Sequence, residues 1–322
     1  MLKKISAATL TYGNRLNFLY QSIDRLLEQG FDMIYVFCNG ITKDNYQKLT
    51  SKYHGTPVIT LYSDTNLGSA GGYYELITHI AQNDDADYVL LLDDDNLVPR
   101  NCYQTLMQLD IKEDELYYFH RPDRMLPKLA KEKRQPEFVM GSENSFLGRD
   151  IFSKIIKSNS KYAGDIIAAP YGGLLLNKKA LDTDILPKKD FYLYADDYEY
   201  TNRLVTEYNF KIIFSEDILI EDLEKSFHLR KGSKLLSNRF SNANATQLYY
   251  SVRNNTWLGL LRSNSKGQYV SNVVIFSLIF ITQFLLTFKL NNIRTYLKAI
   301  KDGFTCYLEE KKSKPRHRHI NP

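Results

Sequence analysis

Three cysteines in 322 residues, Cys38, Cys102 and Cys306, are too few, too far apart and odd in number for a disulfide framework or a cysteine-based zinc site. A reducing compartment is the expectation. A hydrophobic leader is also lacking: after Lys3 and Lys4 the segment ISAATLTY turns polar too soon for a signal sequence, so secretion is not expected. Nor is the chain poor in core-forming residues. With 43% hydrophobic and 25% charged residues it is unlike a disordered polypeptide, and its length allows one large core or a domain plus an appendage. The net charge of +5 is modest but unevenly placed, because Lys311 to His319 carries five Lys or Arg, two His and no acid. By charge alone such an arm suits an anionic lipid surface or nucleic acid, and it equally fits a solvated chain end.

The first hundred residues alternate short apolar runs with amphipathic stretches: ISAATLTY, LNFLYQSIDRLLEQ, MIYVFCN, VITLYS, GYYELITHIAQ and YVLLLDDD. This β-α-β-α-β-α-β order predicts a mainly parallel sheet covered by helices, with a ligand crevice at the carboxyl ends of the strands. Polar turn-forming segments follow each run, namely TYGNR, NGITKD, DTNLGSAGG and DDDN, and all four fall on that edge. From about Leu109 to Lys161 no periodicity is clear, and loops with one or two irregular strands are expected. YGGLLLNKKAL reads as a buried strand, FYLYADDYEYTNRLVTEY as a turn entering a helix, and KIIFSEDILIED as a further strand. A catalytic domain over residues 1–232 is therefore expected, followed by a helical region over 233–322.

Gly267 to Phe288 contains no charged side chain, and its apolar part, about 269–288, approaches the length of about 20 residues that a bilayer span requires. Ser271, Asn272, Ser277, Thr282 and Gln283 interrupt it, and basic residues flank it on both sides. These features favour a helix lying in or partly inserted into a membrane surface, with a buried core or interface helix as the alternative.

The triplet in LLLDDDN is hard to explain by packing, because adjacent carboxylates repel without a cation or water between them. Alternate residues leaving a strand point the same way, so Asp93 and Asp95 can share one divalent cation while Asp94 faces elsewhere. Taken alone, the triplet fits a solvated strand end just as well. The loop NLGSAGG adds glycines that permit close backbone approach before a helix with free N–H groups, although it matches neither a P-loop nor a dinucleotide fingerprint.

Together, TYGNR, FCNG, NLGSAGG, LLDDDN, YGGLLL, YADDYEYTNRL and FHLRKG resemble the inverting family 2 glycosyltransferases of the GT-A fold, over roughly residues 5–232. The likeness is nearest to the galactofuranosyltransferase and rhamnosyltransferase branches. It implies a Rossmann-like α/β domain with a C-terminal helical, membrane-associating region. It also implies that Thr11, Tyr12, Arg15, Asn39, Asn66 and Gly68 surround the nucleotide, with Asp94 at the ribose or sugar. The same likeness assigns Asp93, Asp95 and His228 to a Mg²⁺ or Mn²⁺ ion; a lone histidine would otherwise be unremarkable. Asp197 becomes the general base, with Asp196 and Glu199 positioning the acceptor, although acids at a helix start also serve its dipole. Cys38 stands where the pattern commonly has Asp, and Ala195 where it often has an aromatic residue.

The implied reaction transfers a sugar from a nucleotide-diphosphate donor to a lipid-linked cell-surface glycan at the cytoplasmic face of the membrane. UDP-galactofuranose is the leading donor and dTDP-rhamnose the alternative. No nucleic-acid partner is expected, and association of copies is left open. Competing readings are a sugar nucleotidyltransferase, which normally begins with a basic glycine-rich loop unlike TYGNRLNF, and an inactive glycan-assembly subunit.

Overall fold

Strand β1 (Ile5–Tyr12) has seven consecutive buried residues and so sits in the middle of a sheet, where both faces are covered. In the computed structural model, which describes residues 3–122, 137–138, 141–153, 155–156, 159–224, 240 and 243–313, β1 pairs in parallel with β2 (Ile34–Asn39) and β4 (Tyr88–Asp93). β2 pairs in parallel with β3 (Val58–Ser63). The register aligns Tyr12 with Asn39, Asn39 with Ser63, and Leu10 with Asp93, so the polar segments emerge together at one sheet edge.

Beyond β4 the sheet continues through β5 (Glu115–His120), β6 (Ile166–Ala168), β7 (Leu174–Asn177) and β8 (Lys211–Leu219), in spatial order β3-β2-β1-β4-β7-β5-β8-β6. β7 runs antiparallel between β4 and β5, whereas β5 and β8 are parallel. The expected mostly parallel α/β architecture is thus present. β5 is a regular inner strand within the stretch that lacked periodicity, and most of ELYYFH is buried on both faces, which removes the alternation that marks a half-exposed strand.

Helix α1 (Leu16–Gln29) buries Leu16, Leu19, Ile23 and Leu26 at helical spacing and ends on Gly30 in the left-handed conformation. The other helices of this unit are α2 (Lys43–Lys52), α3 (Gly68–Asn83), α4 (Cys102–Gln108), α5 (Lys178–Leu181) and α6 (Asp196–Tyr208). α3 lies close on the sheet because a Cβ at Gly72 would stand 2.0 Å from Leu10 Cδ1.

The chain divides into two compact units, residues 1–140 with 159–226, and residues 141–158 with 227–322. The sequence reading placed 141–158 in the first domain; in the structure this segment belongs with the C-terminal helices. Arg262 donates to the Ser142 and Ser145 carbonyls at 2.8 Å each, and Asn272 to the Asn144 carbonyl at 3.0 Å and to Asp150 at 2.8 Å. The second unit is built on α7 (Ala245–Arg262), α8 (Lys266–Leu286) and α9 (Leu290–Ser313). An Asn244/Gln247 capping box starts α7.

α8 is long and apolar enough to cross a membrane by length and composition. Its Tyr269, Val273, Phe276, Phe280 and Phe284 are buried in the core of the second unit, whereas Val274, Leu278, Leu285 and Leu286 are exposed. Phe288, in the turn before α9, is 89% exposed.

Candidate active site

The acidic triplet does not hang freely in a turn. Ser22, a buried polar residue on the inner face of α1, donates to the Asp94 and Asn96 carbonyls at 3.1 and 2.9 Å, fixing the backbone that carries the acids. Asp94 is buried. Thr11 Oγ1 donates to its Oδ2 at 2.7 Å, and Arg15 Nε donates to both carboxylate oxygens at 2.9 and 3.0 Å. The Arg15 guanidinium also lies 3.3 Å from Asp95 Oδ2, pairs with Glu224, and sits over the Tyr12 and Phe18 rings. Tyr12 remains half exposed at the strand end. Thr11, Tyr12 and Arg15 are therefore gathered around the triplet, and Asp94 is committed to protein partners.

Asp93 is ordered from the other side by residues that the sequence did not single out. Arg121, 3% exposed, lies 2.9 Å from Asp93 Oδ2 and donates through Nε to Asp222 at 2.8 Å. Asn96 donates to Asp222 at 2.9 Å and accepts from the Asp93 amide at 3.0 Å. Gly172 of the YGG segment is required here: an added Cβ would stand 2.2 Å from Arg121 Nη1, 2.6 Å from Asp93 Oδ2 and 2.7 Å from Asn96 Oδ1. An arginine immediately after an apolar strand that ends at the crevice was the available clue to Arg121; Asp222 carried none.

Five carboxylates, Asp93, Asp94, Asp95, Asp222 and Glu224, thus share two guanidiniums, Arg15 and Arg121. Burial, followed by the charges of Asp93 and Asp94, pushes the Asp95 carboxyl up to about 7. An excess of hard oxygen donors at positions 93 and 95 fits a divalent cation such as Mg²⁺ or Mn²⁺. The arginine contacts involve one oxygen of each of these two carboxylates. Among the described residues no group of three or more His, Cys, Asp or Glu converges as a metal site. His228 lies outside the described residues.

The glycine loop is organised by Asn39. This buried side chain accepts from the Leu67 amide at 2.7 Å and donates to the Gly68 carbonyl at 2.9 Å and to Asn66 Oδ1 at 3.2 Å. Asn66 in turn accepts from the Gly68 amide at 2.8 Å. Gly68 (φ +72°) permits the close approach expected of it, but what approaches is the chain itself: an added Cβ would stand 1.9 Å from the Tyr192 carbonyl oxygen. The Ala70 amide donates to that same oxygen at 3.2 Å.

Tyr192 (φ 59°, ψ −61°) closes a tight turn in which the Leu193 amide reaches back to the Phe191 carbonyl. Tyr194 and Ala195 also have positive φ, so three non-glycine residues in this short turn are held in uncommon backbone conformations. The turn delivers Asp196 and Asp197 to the start of α6. Asp196 is buried and accepts from Ser69 Oγ at 2.9 Å, while its second oxygen is buried without a hydrogen-bond partner among the described residues. Asp197 accepts from the Tyr198 amide at 2.8 Å. Burial pushes both carboxyls above their ordinary value; the charge of Asp93 contributes to both, and repulsion by Asp196 adds to the rise at Asp197. Asp93 therefore lies near enough for its charge to act on both members of the acid pair. Glu199 is held in a bidentate pair with Arg203, at 2.7 and 2.8 Å, and contacts Lys188 at 2.9 Å.

Tyr73 and Tyr171 stack beside the acids with ring centroids 3.9 Å apart, and Tyr73 donates to the Leu92 carbonyl at 2.9 Å. The Tyr171 hydroxyl is buried without a hydrogen-bond partner among the described residues.

A mostly parallel α/β sheet with carboxylates clustered at its strand ends places a candidate ligand site in the crevice where this fold class binds its ligands. Residues 6–168 match the profile described as Glycosyl transferase family 2, and the chain belongs to that family. No curated protein matches its sequence. Among solved structures it is similar to S. aureus TarS 1–349, with a TM-score of 0.52 and 14% identity, covering 95% of this chain and 82% of that one. TarS 1–349 in complex with UDP-GlcNAc matches over the same shares with a TM-score of 0.50 and 14% identity. At these identities the likeness is one of fold.

Proposed function

We propose that this glycosyltransferase moves a sugar from a uridine-diphosphate donor to an acceptor hydroxyl with inversion at the anomeric carbon. The observation that carries this reading is the excess of carboxylate over guanidinium around Asp93 and Asp95, in a unit whose α6 starts with a second acid pair, Asp196 and Asp197. Asp93 and Asp95, with His228 carried over from the family pattern, would hold a Mg²⁺ or Mn²⁺ ion. When bound, that ion supplies positive charge against the departing diphosphate. Arg15 and Thr11 keep Asp94 fixed at the strand ends, next to the ribose and sugar. Asp197 takes the acceptor proton as the oxygen bonds to the anomeric carbon and the bond from that carbon to the diphosphate oxygen breaks. UDP complexes of TarS support a uridine donor, and the pairing of NLGSAGG with the acidic triplet supports galactofuranose.

The test is thermal stabilisation by a panel of nucleotide diphosphates and their sugars, with and without Mn²⁺, for the wild type and Asp93→Ala/Asp95→Ala. Metal-linked stabilisation by uridine compounds, lost in the variant, is expected; a deoxythymidine preference would redirect the reading to rhamnose. No metal-linked response to any nucleotide would overturn it.

The acceptor in this reading is a lipid-linked glycan, reached by a chain resting on the cytoplasmic face of the membrane. The exposed apolar side of α8, the exposed Phe288, and the absence of any acid between Lys266 and Lys301 support this placement. The buried opposite side of α8 favours a surface-lying helix over a span. Leu286→Ser/Phe288→Ser should abolish sedimentation with phosphatidylglycerol vesicles, and equal sedimentation of wild type and variant would refute the anchor.

A further inference from the structure

No side-chain cap marks where α6 begins. Its N-cap residue is Ala195, left-handed at φ 62° and without a side-chain cap bond, and the turn before it has positive φ at Tyr192 and Tyr194 as well. Such a segment keeps one conformation only if its surroundings hold it, and the surroundings are the first turn of α3. Gly68 leaves room for the Tyr192 carbonyl, the Ala70 amide binds that carbonyl at 3.2 Å, and Ser69 Oγ binds Asp196 at 2.9 Å. At the start of the turn, Lys189 pairs with Glu75 of α3 at 2.6 Å and lies 3.8 Å from the Tyr74 ring centroid. The other end of the same loop is tied to β2 by Asn39.

These contacts form one continuous path from the strand end beside the donor loop to the acid pair. Along it, Ser69 Oγ donates a side-chain hydrogen bond directly to Asp196. We propose that Ser69 is a positioning residue of the transfer step, its hydroxyl fixing Asp196 and so the first turn of α6 that carries Asp197. The bond is buried at its acceptor end, which makes its geometry selective. Because α3 begins at Gly68, two residues after Asn66, ordering of the donor loop also orders the base. The inference rests on the proposed role of Asp197.

The test compares Ser69→Ala, Ser69→Thr and Asp197→Asn with the wild type. The measurement is nucleotide release from whichever uridine or deoxythymidine sugar stabilises the wild type most, with Mn²⁺ present and water as acceptor. A misplaced base costs turnover rather than donor binding, so Ser69→Ala should lower kcat by about tenfold with KM for the donor unchanged within about twofold. Ser69→Thr keeps the hydroxyl and should restore most of the rate. A wild-type kcat in Ser69→Ala, a loss confined to KM, or an equal loss in Ser69→Thr would each overturn the assignment. Asp197→Asn separates the two readings: full activity there removes the base itself, whereas an inactive Asp197→Asn beside a fully active Ser69→Ala removes only the role of Ser69.

Discussion

Adding one methyl group at Gly172 should damage the site more than its size implies. The new Cβ would lie within 2.7 Å of three polar atoms, on Arg121, Asp93 and Asn96, and none is the free end of a mobile chain. Arg121 is pinned between Asp93 and Asp222, while Asn96 is held by the Asp93 amide and by Asp222. Overpacking alone costs about 1–3 kcal/mol, and separating a buried guanidinium from its carboxylate about 3–5 kcal/mol. Partial relaxation places the expected loss for Gly172→Ala near 3 kcal/mol, within that range. At about 2–4 °C per kcal/mol for a unit of this size, the melting temperature should fall by about 6–12 °C. Gly13→Ala is the control. Its φ is +59° but no atom lies within 4 Å of the added Cβ, so only backbone strain of about 1–2 kcal/mol applies. Differential scanning calorimetry, repeated with Mn²⁺ and UDP, reads both effects. A Gly172→Ala protein that melts no lower than Gly13→Ala and keeps metal-linked stabilisation would refute the packing argument.

Arg15→Met should destabilise by about 3–5 kcal/mol, because among the described residues it leaves the buried Asp94 carboxylate with only Thr11 as a side-chain donor; a urea midpoint within error of the wild type would contradict this. Since Asp197 must be ionised to accept a proton and its carboxyl is raised, the acidic limb of kcat/KM should lie above the ordinary carboxylate value of about 4. A limb at or below that value would count against Asp197 as base. The same raised pair should make the ligand-free protein lose stability as pH rises upward from about 4, because the folded state holds protons that the unfolded chain has released. Denaturant titrations across that window that show stability rising with pH, after correction with Asp196→Asn/Asp197→Asn, would oppose this.

The α/β layout was legible because its strands are short apolar runs separated by amphipathic stretches, and because the polar segments after β1 to β4 mark the strand ends. β5 was not, since ELYYFH is covered on both sides and shows no period. The acidic triplet and the acid pair stand out as chemistry in one dimension. Their supports do not: Arg121 and Asp222 are 101 residues apart, and Asn96 joins them only through the fold. Gly68 was legible as a point of close approach, but only the structure shows that Tyr192 is the approaching group. Residues 141–158 group with the C-terminal helices, with side-chain bonds from Arg262 and Asn272 to their backbone carbonyls, an association that composition does not encode.

Release of the nucleotide from a sugar donor tests the proposed chemistry most directly. In Mn²⁺, the wild type should slowly hydrolyse UDP-galactofuranose or another sugar nucleotide of the panel. EDTA, Asp93→Ala/Asp95→Ala and Asp197→Asn should each reduce that release to background. Release that persists undiminished in both variants, or no release from any sugar nucleotide with metal present, would contradict a metal-dependent transferase built on these carboxylates.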